Sequence, residues 1–186
     1  MSEEKAIGVE VKKIDKVTVL LFTRHNIKPL RVERKHSLKR TLLKLRTLFP
    51  CRAEVIKAED LVNLIVKTFG SNYEYYIFIS DTYFRTISRE AMEKLLKEDD
   101  TDKLPYILET ADCDDFSDVL LGQLTRKTWN QGFAIGQLWY YTDEFGHAVN
   151  LFSDGEKIYI VEPQNDRIIE WCSERFYCGK AYLVKF

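Results

Sequence analysis

Three short segments of the 186-residue chain carry residue types suited to thiol chemistry: Asp112-Cys113-Asp114-Asp115-Phe116-Ser117, Gly146-His147-Ala148 and Val161-Glu162-Pro163-Gln164. In that order they supply a nucleophile, an imidazole base and a carboxylate able to orient the base, the set needed for attack on a carbonyl. With Asp112 as N-cap, its carboxylate accepting from the N–H of Asp114 or Asp115, Cys113 becomes the first residue of a helix. There the helix dipole favours a thiolate, and the Cys113 N–H is free to serve as one oxyanion donor. The competing reading is a buried cysteine that only packs at a helix start.

Acidic neighbours complicate the thiol. Asp112, Asp114, Asp115 and Asp118 surround the sulfur with negative charge, which disfavours a thiolate. Something positive must compensate, either His147 as imidazolium or a divalent cation such as Ca²⁺ or Mn²⁺, for which clustered Asp oxygens are hard ligands. Against the cation stands the simpler role of first-turn carboxylates, which stabilise a helix by about 0.3–1 kcal/mol each.

Of the histidines, His25 and His36 sit in polar and basic surroundings, whereas His147 enters a strand beside the apolar Ala148. A lone strand histidine can simply pack, but with a thiol and a carboxylate close by it reads as the base. Glu162 is the expected orienter and Gln164 a further member of the network. Asn150 stands at an odd offset from His147 and so faces away from it.

The elements that must position these groups follow from periodicity. Val17 to Phe22 reads as a strand, and His36 to Phe49 as a helix with Leu38, Leu42, Leu45 and Leu48 on one face, ended by Pro50. Val55-Ile56 begins a strand, Glu59 to Phe69 is helical and stops at Gly70, Tyr73 to Tyr83 is a strand, and Ser88 caps a helix running to Lys97. In the Cys113 helix, Phe116, Val119, Leu120 and Leu124 form the packing face. Period-two segments follow: Phe133 to Tyr141, His147 to Phe152, Lys157 to Val161, Arg167 to Trp171 and Ala181 to Val184, with Asp154-Gly155 as a two-residue hairpin turn. A helix packed on an antiparallel sheet brings strand residues to its N-terminus, and His147 and Glu162 become neighbours across a hairpin.

Composition sets wider limits. A hydrophobic fraction of 45%, a charged fraction of 31% and a net charge of -1 describe a globular chain with no global field for nucleic acid or an anionic membrane. The stretch Lys28 to Arg46 is locally basic, a solvated face or a partner site, homo-oligomerisation included. No apolar run spans a bilayer and the polar start lacks a signal-peptide core, so a cytoplasmic location is expected. Cys51, Cys113, Cys172 and Cys178 show no zinc spacing, and in a reducing compartment they are expected as free thiols.

The same motifs carry a family resemblance. Asp-Cys-Asp-Asp-Phe-Ser, Gly-His-Ala-Val-Asn and Glu-Pro-Gln, over roughly Asp81 to Trp171, resemble the papain-like cysteine protease domain of the fungal mushroom agglutinins and its lectin-like-domain relatives in bacteria and phages. A weaker similarity reaches transglutaminase-like cysteine peptidases. The resemblance implies a Cys-His-Glu triad on Cys113, His147 and Glu162, with Gln164 nearby and Ca²⁺ activation through Asp114 and Asp115. Residues 1 to 80 lack the sugar-binding repeats of the agglutinins, so glycan binding does not carry over.

The expectation is therefore an α+β protein with a papain-like core, its nucleophile helix packed on an antiparallel sheet. Residues 1–80 form an N-terminal α/β extension and 81–186 a cysteine hydrolase domain. Its function is read as a thiol protease or amidase of phage or prokaryotic type, acting on a peptide or protein substrate through an acyl-enzyme. The alternatives are a transglutaminase-like acyl transferase or deamidase, and a catalytically silent metal-binding or virion-associated module.

Overall fold

The computed structural model of the protein describes residues 7–24 and 53–186. The helix expected over His36 to Phe49, the basic stretch around it, and His25, His36 and Cys51 lie outside the described residues. The strands are β1 (Ile7–Ile14), β2 (Val17–Arg24), β3 (Val55–Lys57), β4 (Tyr75–Ile79), β5 (Tyr83–Arg85), β6 (Ile135–Tyr141), β7 (Gly146–Ser153), β8 (Ile158–Glu162), β9 (Arg167–Glu170) and β10 (Lys180–Lys185). The described helices are α1 (Ala58–Phe69), α2 (Arg89–Lys97) and α3 (Cys113–Lys127).

Eight strands form one sheet in the order β1-β2-β4-β10-β6-β7-β8-β9, while β3 and β5 pair separately. The pairs β2/β4 and β4/β10 run parallel and the rest of the sheet is antiparallel. The α+β expectation holds, with strands from both sides of residue 80 in a single sheet. The alternation of β8 shows how it is covered. Ile158 and Ile160 join a core with Leu61, Val62, Ile65 and Phe69 of α1, whereas Tyr159 and Val161 join one with Met92, Leu95 and Leu96 of α2 and Leu120 and Leu124 of α3. All five residues of β8 are buried, as a strand covered on both faces requires.

Local signals place most of the ends. Ser88 Oγ accepts from the Ala91 N–H at 3.3 Å and caps α2. α1 stops at Gly70, whose φ of 87° suits glycine best. The single strand expected over Tyr73 to Tyr83 is two strands. β4 stays between β2 and β10, and the chain then turns so that β5 pairs with β3, with Thr82 O accepting from Ala58 N at 2.9 Å. The hairpin between β7 and β8 also differs from expectation. Ser153 pairs with Ile158, leaving four loop residues, because Asp154 Oδ1 accepts from the N–H groups of Glu156 (2.9 Å) and Lys157 (2.8 Å) and draws them into the turn.

The cysteines differ from expectation as well. Cys172 and Cys178 form a disulfide rather than two free thiols, closing a loop whose ends are tied again by the Cys172 N–H donating to Tyr177 O at 2.9 Å. Among the described residues, Cys113 is the free cysteine.

Candidate functional site

α3 starts where its capping signal puts it. Asp112 and Asp115 form a capping box, with the Asp115 N–H on the Asp112 carboxylate and the Asp112 N–H donating to Asp115 Oδ2 at 3.2 Å. The preceding turn fixes the cap. Ile107 and Ala111 exchange backbone hydrogen bonds of 2.9 and 2.8 Å, and Glu109, at φ 66°, donates its N–H to Asp112 Oδ2 at 3.2 Å. Cys113 is thus held in the first helical turn, half-buried.

Two amides fasten the start of α3 to the sheet. Gln137 Nε2 donates to Ser117 Oγ (3.2 Å) and Asp118 Oδ1 (2.6 Å), and Asn150 Nδ2 donates to Ser117 O (2.9 Å). Both amides are buried, and these bonds satisfy their NH2 groups and fix the helix along its axis, while Gln137 Oε1 and Asn150 Oδ1 are buried without a partner among the described residues. Asn150 serves the helix rather than the imidazole, as its parity on β7 requires. Phe116, Leu120 and Leu124 pack inward as expected, whereas Val119 is exposed.

On β7 and β8 the register does the rest. Asn150 pairs with Val161, so one step on Glu162 lies across from Val149 and shares a face with His147. His147 Nε2 and Glu162 Oε2 are 2.8 Å apart, with side chains only 9% and 4% exposed. Gln164 joins through its backbone N–H, which donates to Glu162 Oε1 at 3.3 Å. Tyr177 completes the carboxylate, its hydroxyl donating to Oε2 at 3.1 Å. Phe176, Tyr140 and Phe145 surround the imidazole edge-on, with ring centroids 5.3, 5.8 and 6.4 Å away.

The electrostatics follow from these contacts. Burial by itself holds the His147 imidazolium down. Hydrogen bonds to Cys113 and Glu162, with the attraction of their negative charge, outweigh burial and carry its pKa up to about 9. His147 is therefore a cation at neutral pH, placed between a sulfur and a carboxylate. Positive charge of this kind is what the acidic surroundings of Cys113 call for.

The four aspartates divide. A hydrogen bond to Asp114 and the backbone N–H groups of Glu109, Asp114 and Cys113 hold Asp112 below the usual carboxylate range. The same bond pushes Asp114 up, aided by slight desolvation and by the negative charge of Asp112 and Asp115. One ligand atom each from Asp112, Cys113 and Asp114 lies within 4.8 Å of the others. Asp115 and Asp118 are committed to the cap and to Gln137. Two neighbouring carboxylates suit a hard divalent cation, although Ca²⁺ takes about 6–8 oxygens and would draw most of them from water.

Sequence reasoning missed Tyr177 and the disulfide loop that carries it. The six-residue spacing of Cys172 and Cys178 was the available signal, but nothing in the pattern of Tyr177 tells a hydroxyl aimed at Glu162 from an ordinary core aromatic.

No family model matches the chain, and no curated protein matches it. Solved structures do. One, described as a PSL1a–E64 complex, matches with a TM-score of 0.62 at 20% identity over 71% of this chain and 51% of its own. Another, the lectin of Polyporus squamosus bound to the human-type influenza-binding epitope Neu5Acα2-6Galβ1-4GlcNAc, matches with a TM-score of 0.58 at 20% identity over 71% and 49%. The chain spans about half the length of these structures. The shared property is the fold.

These neighbours correct the sequence reading of function. One of them is described as a lectin and neither as a cysteine hydrolase, and no family model matches. The relationship to a papain-like protease domain, the thiol protease or amidase activity with its acyl-transfer and virion-module alternatives, and the phage or prokaryotic assignment are therefore withdrawn. A peptide or protein substrate goes with them, since the ligand described for the lectin is a glycan. No described helix is long and apolar enough to cross a membrane.

Proposed function

We propose that the protein is a ligand-binding module whose reactive centre is the Cys113 sulfur, held beside a His147 imidazolium that Glu162 orients. The observation that carries this is the buried 2.8 Å His147–Glu162 contact, with Cys113 near enough for its charge to help raise the imidazole's pKa. An imidazolium beside a thiol favours the thiolate, the form that attacks electrophilic carbon. With an epoxide, Sγ forms a bond to one ring carbon, the carbon–oxygen bond breaks, and His147 gives its proton to the alkoxide. The chemistry ends at this adduct, with no hydrolytic release. Its scaffold is the arrangement expected of a papain-like core, a helix bearing the thiol docked on a sheet bearing the base. All of the site residues lie in 81–186, while 1–80 contributes β1, β2 and β4 to the same sheet.

E64, the ligand named for one neighbour, is such an epoxide and serves as the probe. Incubation of the full chain is expected to give one adduct per molecule, mapped to Cys113 by peptide mass spectrometry. Equal labelling of the other cysteines, or none at Cys113, would sink the reading.

Ca²⁺ or Mn²⁺ belongs to the proposal as a cofactor held by Asp112 and Asp114, supplying positive charge beside the sulfur. In a thermal melt, millimolar Ca²⁺ is expected to raise the midpoint of the wild type but not of Asp114→Asn; identical shifts in both would remove the site.

A second reading concerns the ligand's other end. Beside the imidazole, Tyr141, Phe145, Phe176, Glu144, Arg175 and Lys180 line a cavity of about 550 Å³, with Phe145 and Phe176 stacked at 4.6 Å. Aromatic faces rimmed by charged hydrogen-bonding groups suit a saccharide, and the epitope Neu5Acα2-6Galβ1-4GlcNAc described for the lectin is the first to titrate. The cytoplasmic location expected from the sequence is retained as part of this proposal, with consequences for the disulfide.

A further inference from the structure

The loop closed by Cys172 and Cys178 sends two consecutive residues in two directions that matter. Phe176 lies edge-on to His147 at 5.3 Å and stacks on Phe145 at 4.6 Å. Tyr177 is buried and donates its hydroxyl to Glu162 Oε2 at 3.1 Å, the same oxygen that His147 Nε2 engages at 2.8 Å. Other bonds hold the loop in this pose. Phe176 O accepts from Tyr140 Oη at 3.1 Å, the Cys172 N–H donates to Tyr177 O at 2.9 Å, and Arg167 pairs with Glu174.

Much of that hold depends on the disulfide. The loop has one short 3₁₀ turn, Arg175–Tyr177, and no strand pairing of its own. Glu174, Arg175 and Phe176 are exposed, so burial of Tyr177 is the loop's main apolar anchor. Cys172 is held at φ 58°, a left-handed conformation disfavoured for a residue with a side chain. Opening the crosslink restores conformational freedom to the loop and relieves Cys172 of that constraint.

We propose that Tyr177 is a positioning residue for Glu162 and that the Cys172–Cys178 disulfide keeps it in place, so that reduction of this disulfide lowers the reactivity of Cys113. The inference rests on the thiolate–imidazolium reading of the site. The chemistry is an exchange with a dithiol: its thiolate attacks one sulfur, the S–S bond breaks, and the second dithiol sulfur displaces the mixed disulfide. Two electrons and two protons pass to Cys172 and Cys178, and the dithiol leaves as a disulfide. Tyr177 and Phe176 then move away from Glu162 and His147, and the carboxylate loses a donor that only the folded loop supplies. In the cytoplasm such a pair would respond to dithiol reductants, whereas in an oxidising compartment it stays closed.

The test uses the full chain in buffers of reduced and oxidised dithiothreitol. The state of Cys172 and Cys178 is read by mass spectrometry after acid quenching, and the rate of E64 addition to Cys113 is measured in parallel. The rate is expected to fall on the order of tenfold or more on reduction, because displacement of a positioning group by about 1 Å costs that much. The fall is expected to follow the same two-electron curve as the disulfide. A rate constant across the titration overturns the proposal. The Cys172→Ser/Cys178→Ser double variant is expected to match the reduced wild type and ignore the reductant; reaction as fast as the oxidised wild type counts against it.

Tyr177→Phe keeps the ring and the disulfide and removes only the hydroxyl. It is expected to slow addition part of the way and to shift the His147 imidazole N–H proton in the NMR spectrum. Wild-type rate and wild-type resonance together would show that Tyr177 positions nothing. Failure of the parent reading looks different: oxidised wild type forms no adduct, yet the imidazole resonance still reports whether reduction disturbs Glu162 and His147.

Discussion

His147→Ala is expected to slow E64 addition to Cys113 at neutral pH by about 100-fold or more, the contribution of a positioned acid–base group. Two losses combine. Without the imidazolium, Cys113 loses the positive side chain that offsets Asp112 and Asp114, and the ring-opened oxygen has no proton donor at hand. In the wild type the rate should fall near pH 9 as His147 deprotonates. In His147→Ala the descending limb should be gone, leaving a slow rate that follows hydroxide alone. Cys113→Ala gives the background. A His147→Ala variant that reacts as fast as the wild type, with the same profile, would show that the imidazole contributes nothing to the thiol.

The second large effect is on stability. The His147 pKa is raised in the folded protein, from 6.5 to about 9, so its contribution is fully present below pH 6.5 and is lost as pH rises through about 9. Because the group is largely buried, the loss amounts to up to roughly 3 kcal/mol across that window. Part of it belongs to Cys113 and part to Glu162. Urea denaturation of wild type and Glu162→Gln at both ends of the window separates the two. The wild type should weaken with rising pH, whereas Glu162→Gln, which presents a neutral amide to the ring, should start lower and lose less. Replacement by alanine would leave His147 and Tyr177 facing a void, and removal of one partner of a buried pair costs about 3–5 kcal/mol. Parallel pH profiles for wild type and Glu162→Gln would place the stabilisation elsewhere.

Much of the site was legible because it rests on local rules. The capping box at Asp112 is a four-residue pattern, and it puts Cys113 in the first turn of α3. The juxtaposition of His147 with Glu162 follows from hairpin parity once β7 and β8 are recognised, and the same parity turns Asn150 toward Ser117. Other features had no local signature. The division of four adjacent aspartates depends on Gln137, which draws off Asp118 from 19 residues away, and on the turn at Glu109. The hairpin loop came out longer than Asp154-Gly155 alone suggests, because Asp154 captures two further N–H groups.

Sequence by itself thus determined the α+β order of elements, the helix that carries Cys113 and the pairing of His147 with Glu162. Each depends on interactions within a few residues or across one hairpin, where periodicity and capping leave few choices. Only the tertiary structure decided which groups surround that pair. The 2.8 Å contact is closed by Tyr177 from a loop near the C-terminus, the Cys172–Cys178 disulfide ties that loop, and α3 is docked by amides from β6 and β7. Contacts between segments distant in the chain are selected by packing of the whole sheet, and short motifs carry no record of them.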